Sequence, residues 1–219
     1  MSALLLFLSG NEAFVATDAA AAVGTRLVSL TPKIHVLPHL HVAMGVRGHF
    51  GALRHVIHLV QNLASPEDLQ TVLPAKLKET YGFRVKWFPK LWGFDLGFAG
   101  YDKTGPYVEL ISSVSREDHP AFEFRRFEVI WVSPNVPMDL LRSSYDQADR
   151  DPDGAAIAIM DAQRSGGGAV IGGYGQITSV GRKNITTRLL KPYPDKILQP
   201  IDRFSGITVK SDEGILNFN

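Results

Sequence analysis

The chain opens Met1-Ser2-Ala3, and Ser2 is the residue best placed to do covalent chemistry. A small residue at position 2 permits removal of the initiator Met1, which gives Ser2 a free α-amino group. An α-amine titrates near pH ~7.7–8.0, so at neutral pH it can serve as general base for its own hydroxyl through a bridging water. Such a centre has three further requirements. It needs a cation close enough to hold the amine neutral and steady the developing alkoxide, an acid to hold that cation, and backbone N–H donors for the oxyanion.

Other chemistry is thinner. The chain has no cysteine, which removes disulfides, thiolate catalysis and Cys-ligated metals and fits a reducing compartment. His35, His39 and His41 share odd positions. Pro38 interrupts their strand, however, and no acidic residue sits close in sequence, so neither a metal nor a cofactor is expected. Gly166-Gly167-Gly168 and Gly172-Gly173 lack the Gly-Lys-Ser/Thr ending of a phosphate loop and read as bends or close strand packing. The aromatic-rich stretch Trp87, Phe88, Trp92, Phe94 and Phe98 reads as core or subunit interface.

Composition sets the frame for these residues. The 219 residues are 45% hydrophobic and 21% charged, an ordinary globular balance with no linker, so one domain over 1–219 is predicted. A net charge of +1 supplies no field to recruit nucleic acid or an anionic membrane. The apolar run Ala3 to Leu8 has no basic residues before it and ends at a turn, unlike a signal peptide. No later run reaches the roughly 18 apolar residues of a membrane helix. A soluble, cytoplasmic protein is the expectation.

Ala3 to Leu8 is continuously apolar, as in a strand buried on both faces, and Ser9-Gly10-Asn11-Glu12 turns it into Ala13–Thr17, with Asp18 at its end. Lys33–Leu37 and His41–Val46 read as two more strands. Phe50, Leu53, Val56, Ile57, Leu59 and Val60 then recur at helical spacing, predicting a helix from Gly48 to Leu63. Ser65-Pro66-Glu67-Asp68 opens a second helix, expected to stop near Tyr81 at Gly82.

Strands resume at Gly93–Tyr101 and Pro106–Ser112 around the turn Asp102–Gly105, followed by a strand over Phe127–Val132. Helices are read over Val136–Gln147 and Gly154–Arg164, then Gly-rich strands and a last hairpin, Ile207–Lys210 with Ile215–Phe218. Helices come in pairs and do not alternate with strands, which predicts layered α+β packing and argues against a doubly wound sheet.

At five places, in order, the sequence resembles the proteasome β subunit and its bacterial relatives. Ala16-Thr17-Asp18 matches the family's Ala-x-Asp segment, 16 residues after Ser2. Thr31-Pro32-Lys33-Ile34-His35-Val36 matches the segment of its catalytic Lys, one residue short in the preceding loop. His41-Val42-Ala43-Met44-Gly45-Val46-Arg47-Gly48 occupies the place of its Gly-rich oxyanion segment. Gly100-Tyr101-Asp102-Lys103-Thr104-Gly105-Pro106 is similar to a family hairpin, and Met160–Gly167 resembles its Asp-Ala-x-Ser-Gly-Gly segment. The chain departs from the family pattern in three respects. Ser2 stands for Thr, Arg47 stands for a usual Gly, and the Asp161–Ser165 segment carries one extra residue.

The resemblance implies an N-terminal-nucleophile hydrolase: a four-layer αββα sandwich of two antiparallel sheets flanked by helix pairs, acting on peptide or amide bonds. In it Ser2 is the nucleophile, Lys33 the cation, Asp18 the orienter of Lys33, and the amides near Arg47 and Gly48 the oxyanion donors. Asp161 and Ser165 orient the amine. It also implies self-association into a ring or stacked oligomer, with any ATPase partner left open. The alternatives are a catalytically silent subunit of the same fold, in which Asp18 and Lys33 form a structural ion pair, and a small-molecule amidase.

Overall fold

The computed structural model describes residues 2–49, 51–116, 119–128, 130–166, 170–205 and, as backbone, 208–211 and 214–217. Met1, Phe50, Gly167, Gly168, Ile207 and Phe218, which entered the sequence reading, lie outside the described residues.

The first half of the chain runs β1 (Leu4–Ser9), β2 (Glu12–Asp18), β3 (Ala20–Val23), β4 (Arg26–Leu30), β5 (Ile34–Leu37) and β6 (Val42–Gly48), then α1 (Gly51–Val60), α2 (Pro66–Trp87) and the short α3 (Pro89–Trp92). The second half runs β7 (Phe94–Asp102), β8 (Gly105–Ser112), β9 (Phe124–Phe127), β10 (Trp131–Ser133), α4 (Met138–Ala148), α5 (Pro152–Ser165), β11 (Tyr174–Val180), β12 (Ile185–Pro192), β13 (Thr208–Ser211) and β14 (Gly214–Asn217).

Two five-stranded sheets dominate, in the orders β10-β1-β2-β11-β12 and β5-β6-β7-β8-β9, and every pairing is antiparallel. Beside them stand two two-stranded ribbons, β3–β4 and β13–β14, so the strands divide among more than the two sheets expected. The C-terminal ribbon is the hairpin read from the sequence; β3–β4 is new.

Strand β1 is buried because both of its faces are apolar. Leu5 and Phe7 join Ala155, Ile159 and Met160 of α5 in one cluster. The alternate residues Leu4 and Leu6 join Ala43, Ala99, Val108 and Leu110 of the other sheet in a second. A third cluster packs Met44, Leu96 and Phe98 against Val56 of α1 and Leu73 and Leu77 of α2.

Helix α2 begins as read. Ser65 Oγ accepts from the Asp68 N–H and Asp68 Oδ2 accepts from the Ser65 N–H, both at 3.1 Å, a reciprocal cap ahead of Pro66. It does not stop at Gly82. Leu69, Leu73, Leu77, Tyr81 and Val85 recur every four residues on the buried face, and this stripe carries the helix on to Trp87 before Pro89 ends it. The expected strand over Phe127–Val132 is also corrected. Phe127 closes β9 in one sheet and Trp131 opens β10 in the other, so the segment crosses between sheets. The aromatic stretch divides as well: Phe94 and Phe98 are core, whereas Trp87 and Phe88 are exposed.

Candidate active site

Ser2 leads into the buried strand β1, so its position is set by the sheet. Leu4 pairs with Thr17, which places Ala3 beside Asp18, and the Ala3 N–H donates to Asp18 Oδ1 at 2.9 Å. The N–H groups of Ala20 and Gly172 donate to Asp18 Oδ2 at 3.1 and 3.2 Å. Three backbone donors thus fix a fully buried carboxylate, the second bond closing a turn into β3 and the third arriving from the segment before β11.

Lys33 stands just ahead of β5, itself buried, and its three ammonium protons meet three acceptors. These are Ser2 Oγ at 2.6 Å, Asp18 Oδ1 at 3.1 Å and the Ala20 carbonyl at 2.6 Å. Burial pushes the Lys33 pKa below its ordinary value, with the Asp18 charge and hydrogen bond pulling the other way. Gln176 of β11 supports the segment. With its amide oxygen turned as its neighbours require, it accepts from the Lys33 and Ile34 N–H groups at 3.0 and 2.9 Å.

Arg47 and Gly48 end β6 on the other side of Ser2. Arg47 Nε donates to the Ser2 carbonyl at 3.0 Å, and Nη1 donates to Asp95 Oδ2 at 2.9 Å. Arg47 and Asp95 are register partners on β6 and β7, and Arg116 Nη2 donates to both oxygens of the same carboxylate at 3.0 and 2.9 Å. Backbone N–H groups alternate sides along an antiparallel strand. The His49 N–H donates to the Gly93 carbonyl, beside β7, and the Val46 N–H donates to the Lys33 carbonyl. The alternation puts Arg47's amide on the β7 side and Gly48's on the side of Lys33. Gly48 has φ +94°, and an added Cβ would lie 2.9 Å from the Phe94 Cα, so only glycine fits there.

These side chains open into one cavity of about 550 Å³ whose walls include Ser2, Ala20, Lys33, Arg47, Asp95 and Arg116. Asp161 and Ser165 are engaged elsewhere. Asp161 accepts from Lys191 Nζ at 2.7 Å and from the Tyr193 hydroxyl at 2.9 Å, which ties α5 to β12 and the residue after it. Burial and the neighbouring Asp161 raise the Tyr193 pKa, keeping that hydroxyl a donor. The Ser165 hydroxyl donates back into its own helix, to the Asp161 and Ala162 carbonyls at 3.1 Å each. No described bond joins either residue to Ser2.

Of the histidines, His39 Nε2 lies 3.2 Å from the Val60 carbonyl and His41 Nε2 lies 2.7 Å from that of Gly181, so these rings meet backbone oxygens. Among the described residues no helix is long and apolar enough to cross a membrane. The sequence reading missed Asp95 and Arg116. Asp95 carried a faint signal, as one acid inside an apolar strand; Arg116 carried none, because its loop meets β7 only in the fold.

No family model matches the chain, and no curated protein does. Among solved structures it is similar to a Gly-1 mutant of Anbu from Hyphomicrobium sp. strain MC1, with TM-score 0.64 and 13% identity over 90% of this chain and 89% of that one. It is also similar to Anbu from Yersinia bercovieri, described as an ancestral beta-subunit, with TM-score 0.63 and 14% identity over 86% and 87%. At such identities the likeness is one of fold, and the fold this chain shares is that of Anbu.

Proposed function

We propose that the chain is an N-terminal-nucleophile hydrolase of peptide or amide bonds, with Ser2 exposed by removal of Met1. Ser2 Oγ attacks the carbonyl carbon, and its proton passes through water to the α-amine. The carbonyl π electrons move onto oxygen, and the Gly48 N–H donates a hydrogen bond to that oxyanion. Collapse expels the amine, which takes the proton, and leaves an ester on Ser2 that water hydrolyses. Lys33 stabilises the alkoxide and disfavours protonation of the amine, and Asp18 orients Lys33. Arg47 positions the nucleophile by gripping the Ser2 carbonyl. Asp161 serves this centre by holding α5 against β12, and Ser165 by closing the last turn of α5.

The observation that carries this reading is the placement of Lys33 Nζ between Ser2 Oγ and Asp18 Oδ1. The three core clusters support a four-layer αββα sandwich, and the likeness to proteasome-type subunits supports self-association in the cytoplasm. Two measurements test the reading. Intact mass reports whether Met1 is gone, and a panel of peptide anilides is assayed with the native protein and with Ser2→Ala. Turnover by the native protein alone is expected; equal turnover by both refutes the mechanism. A second reading, the silent subunit, draws on the Arg47 side chain crowding the nucleophile, and Met1 retained on the purified protein would favour it.

A further inference from the structure

Among the described residues, the wall of the cavity beside Ser2 carries a lopsided charge. Lys33 is neutralised by Asp18 behind it. In front, Arg47 and Arg116 share one carboxylate, Asp95, which is the sole acidic side chain among the described residues of the wall. Lys90 adds a further cation at the same wall. His49 contributes no lasting charge near neutral pH, because burial and then Arg84 hold its pKa below the ordinary value. The rest of the wall is backbone, small or apolar.

Arg116 is the group with capacity to spare. Its bonds to Asp95 run through Nη2 alone, and Nε and Nη1 have no described partner. The side chain is 36% exposed, and its guanidinium lies 5.5 Å from the centre of the Trp131 ring, which limits its sweep. A planar fork with donors left over among its described contacts suits a second carboxylate.

We infer that the pocket takes an acidic side chain, so that the favoured substrates are amides whose acyl residue is glutamate or aspartate, with Arg116 as the specificity-determining residue. The inference rests on the hydrolase reading for where the substrate lies, but binding tests it without turnover. Ser2→Ala protein is titrated with N-acetyl-glutamyl amide, N-acetyl-glutaminyl amide and N-acetyl-lysyl amide by calorimetry or chemical-shift mapping. Glutamate and glutamine match in shape and differ in charge. The glutamyl probe should bind about ten-fold more tightly than the glutaminyl one, as one charge-assisted bond implies. That preference should shrink with added salt.

Arg116→Gln in the same background should abolish the preference, and Arg116→Lys should keep part of it, which guards against a merely misfolded variant. Equal binding of the glutamyl and glutaminyl probes, or tighter binding of the lysyl probe, overturns the inference. A preference unchanged in folded Arg116→Gln overturns the role of Arg116. The two readings fail separately. Selective binding with no anilide hydrolysed by the native protein removes the hydrolase and keeps the acidic pocket. Hydrolysis with glutaminyl kcat/KM at or above glutamyl does the reverse.

Discussion

Lys33 Nζ lies 2.6 Å from Ser2 Oγ and 3.1 Å from Asp18 Oδ1, so one buried ammonium bridges the Ser2 hydroxyl and a carboxylate held by three backbone amides. Removing the hydroxyl takes one of three partners from Lys33, and Ser2→Ala should cost about 1 kcal/mol of stability. Hydrolysis should fall to background, while Ser2→Thr should retain turnover. Anilide assays beside thermal melts separate the two effects.

Lys33→Ala should be more damaging. It ends turnover and leaves the Asp18 charge buried without its cation, for which about 3–5 kcal/mol is usual. The three amide donors soften that loss, so about 3 kcal/mol is expected in urea denaturation. A loss under about 1 kcal/mol would show that the amides alone suffice.

Arg164 makes a comparable case away from the nucleophile. Fully buried, it donates to both Asp195 oxygens at 2.9 and 2.7 Å, to the Ile171 carbonyl at 2.5 Å and to the Asp202 carbonyl, and it stacks on Tyr193. Arg164→Lys keeps the charge and loses the fork. It should destabilise by about 2 kcal/mol and loosen Gly172, the neighbour of Ile171 that braces Asp18. Lower activity on the anilide panel at unchanged Met1 processing is the readout.

Glu109 sets a pH dependence. It is buried, with both oxygens accepting from Gln70 Nε2 at 3.0 Å, and burial raises its pKa above the usual carboxylate value. The folded state therefore holds this proton to higher pH than the unfolded chain does. The stability it contributes is complete below about pH 4.5 and is lost as pH rises through the folded pKa. Relative to Glu109→Gln, the native protein should weaken in denaturant titrations as pH rises above about 4.5. A difference that grows in the opposite direction refutes the assignment.

The strand ends carrying Ser2, Asp18 and Lys33 were legible because each sits where an apolar run meets a polar residue, and that boundary is a local signal. The β3–β4 ribbon was not. Ala20, Ala21 and Ala22 have weak strand preference, and the pairing of Ala20 with Leu30 arises only once Ala19 is anchored to Tyr174 and Thr31. Gly82 read as a helix stop because glycine favours ends, yet burial of Val85 one turn further on outweighed it. The Arg47–Asp95–Arg116 cluster depends on strand register and loop placement, which no local pattern encodes.

Strand β1 lies between β2 and β10, and Asp18 is braced by Gly172, 154 residues further along the chain. That strand and its neighbour are therefore completed by partners far along the chain. On the ribosome, β1 has no second neighbour until residues 131–133 have emerged, and the full bracing of Asp18 waits for residue 172. Birth order itself thus delays the assembly of the cluster that joins Ser2, Lys33 and Asp18.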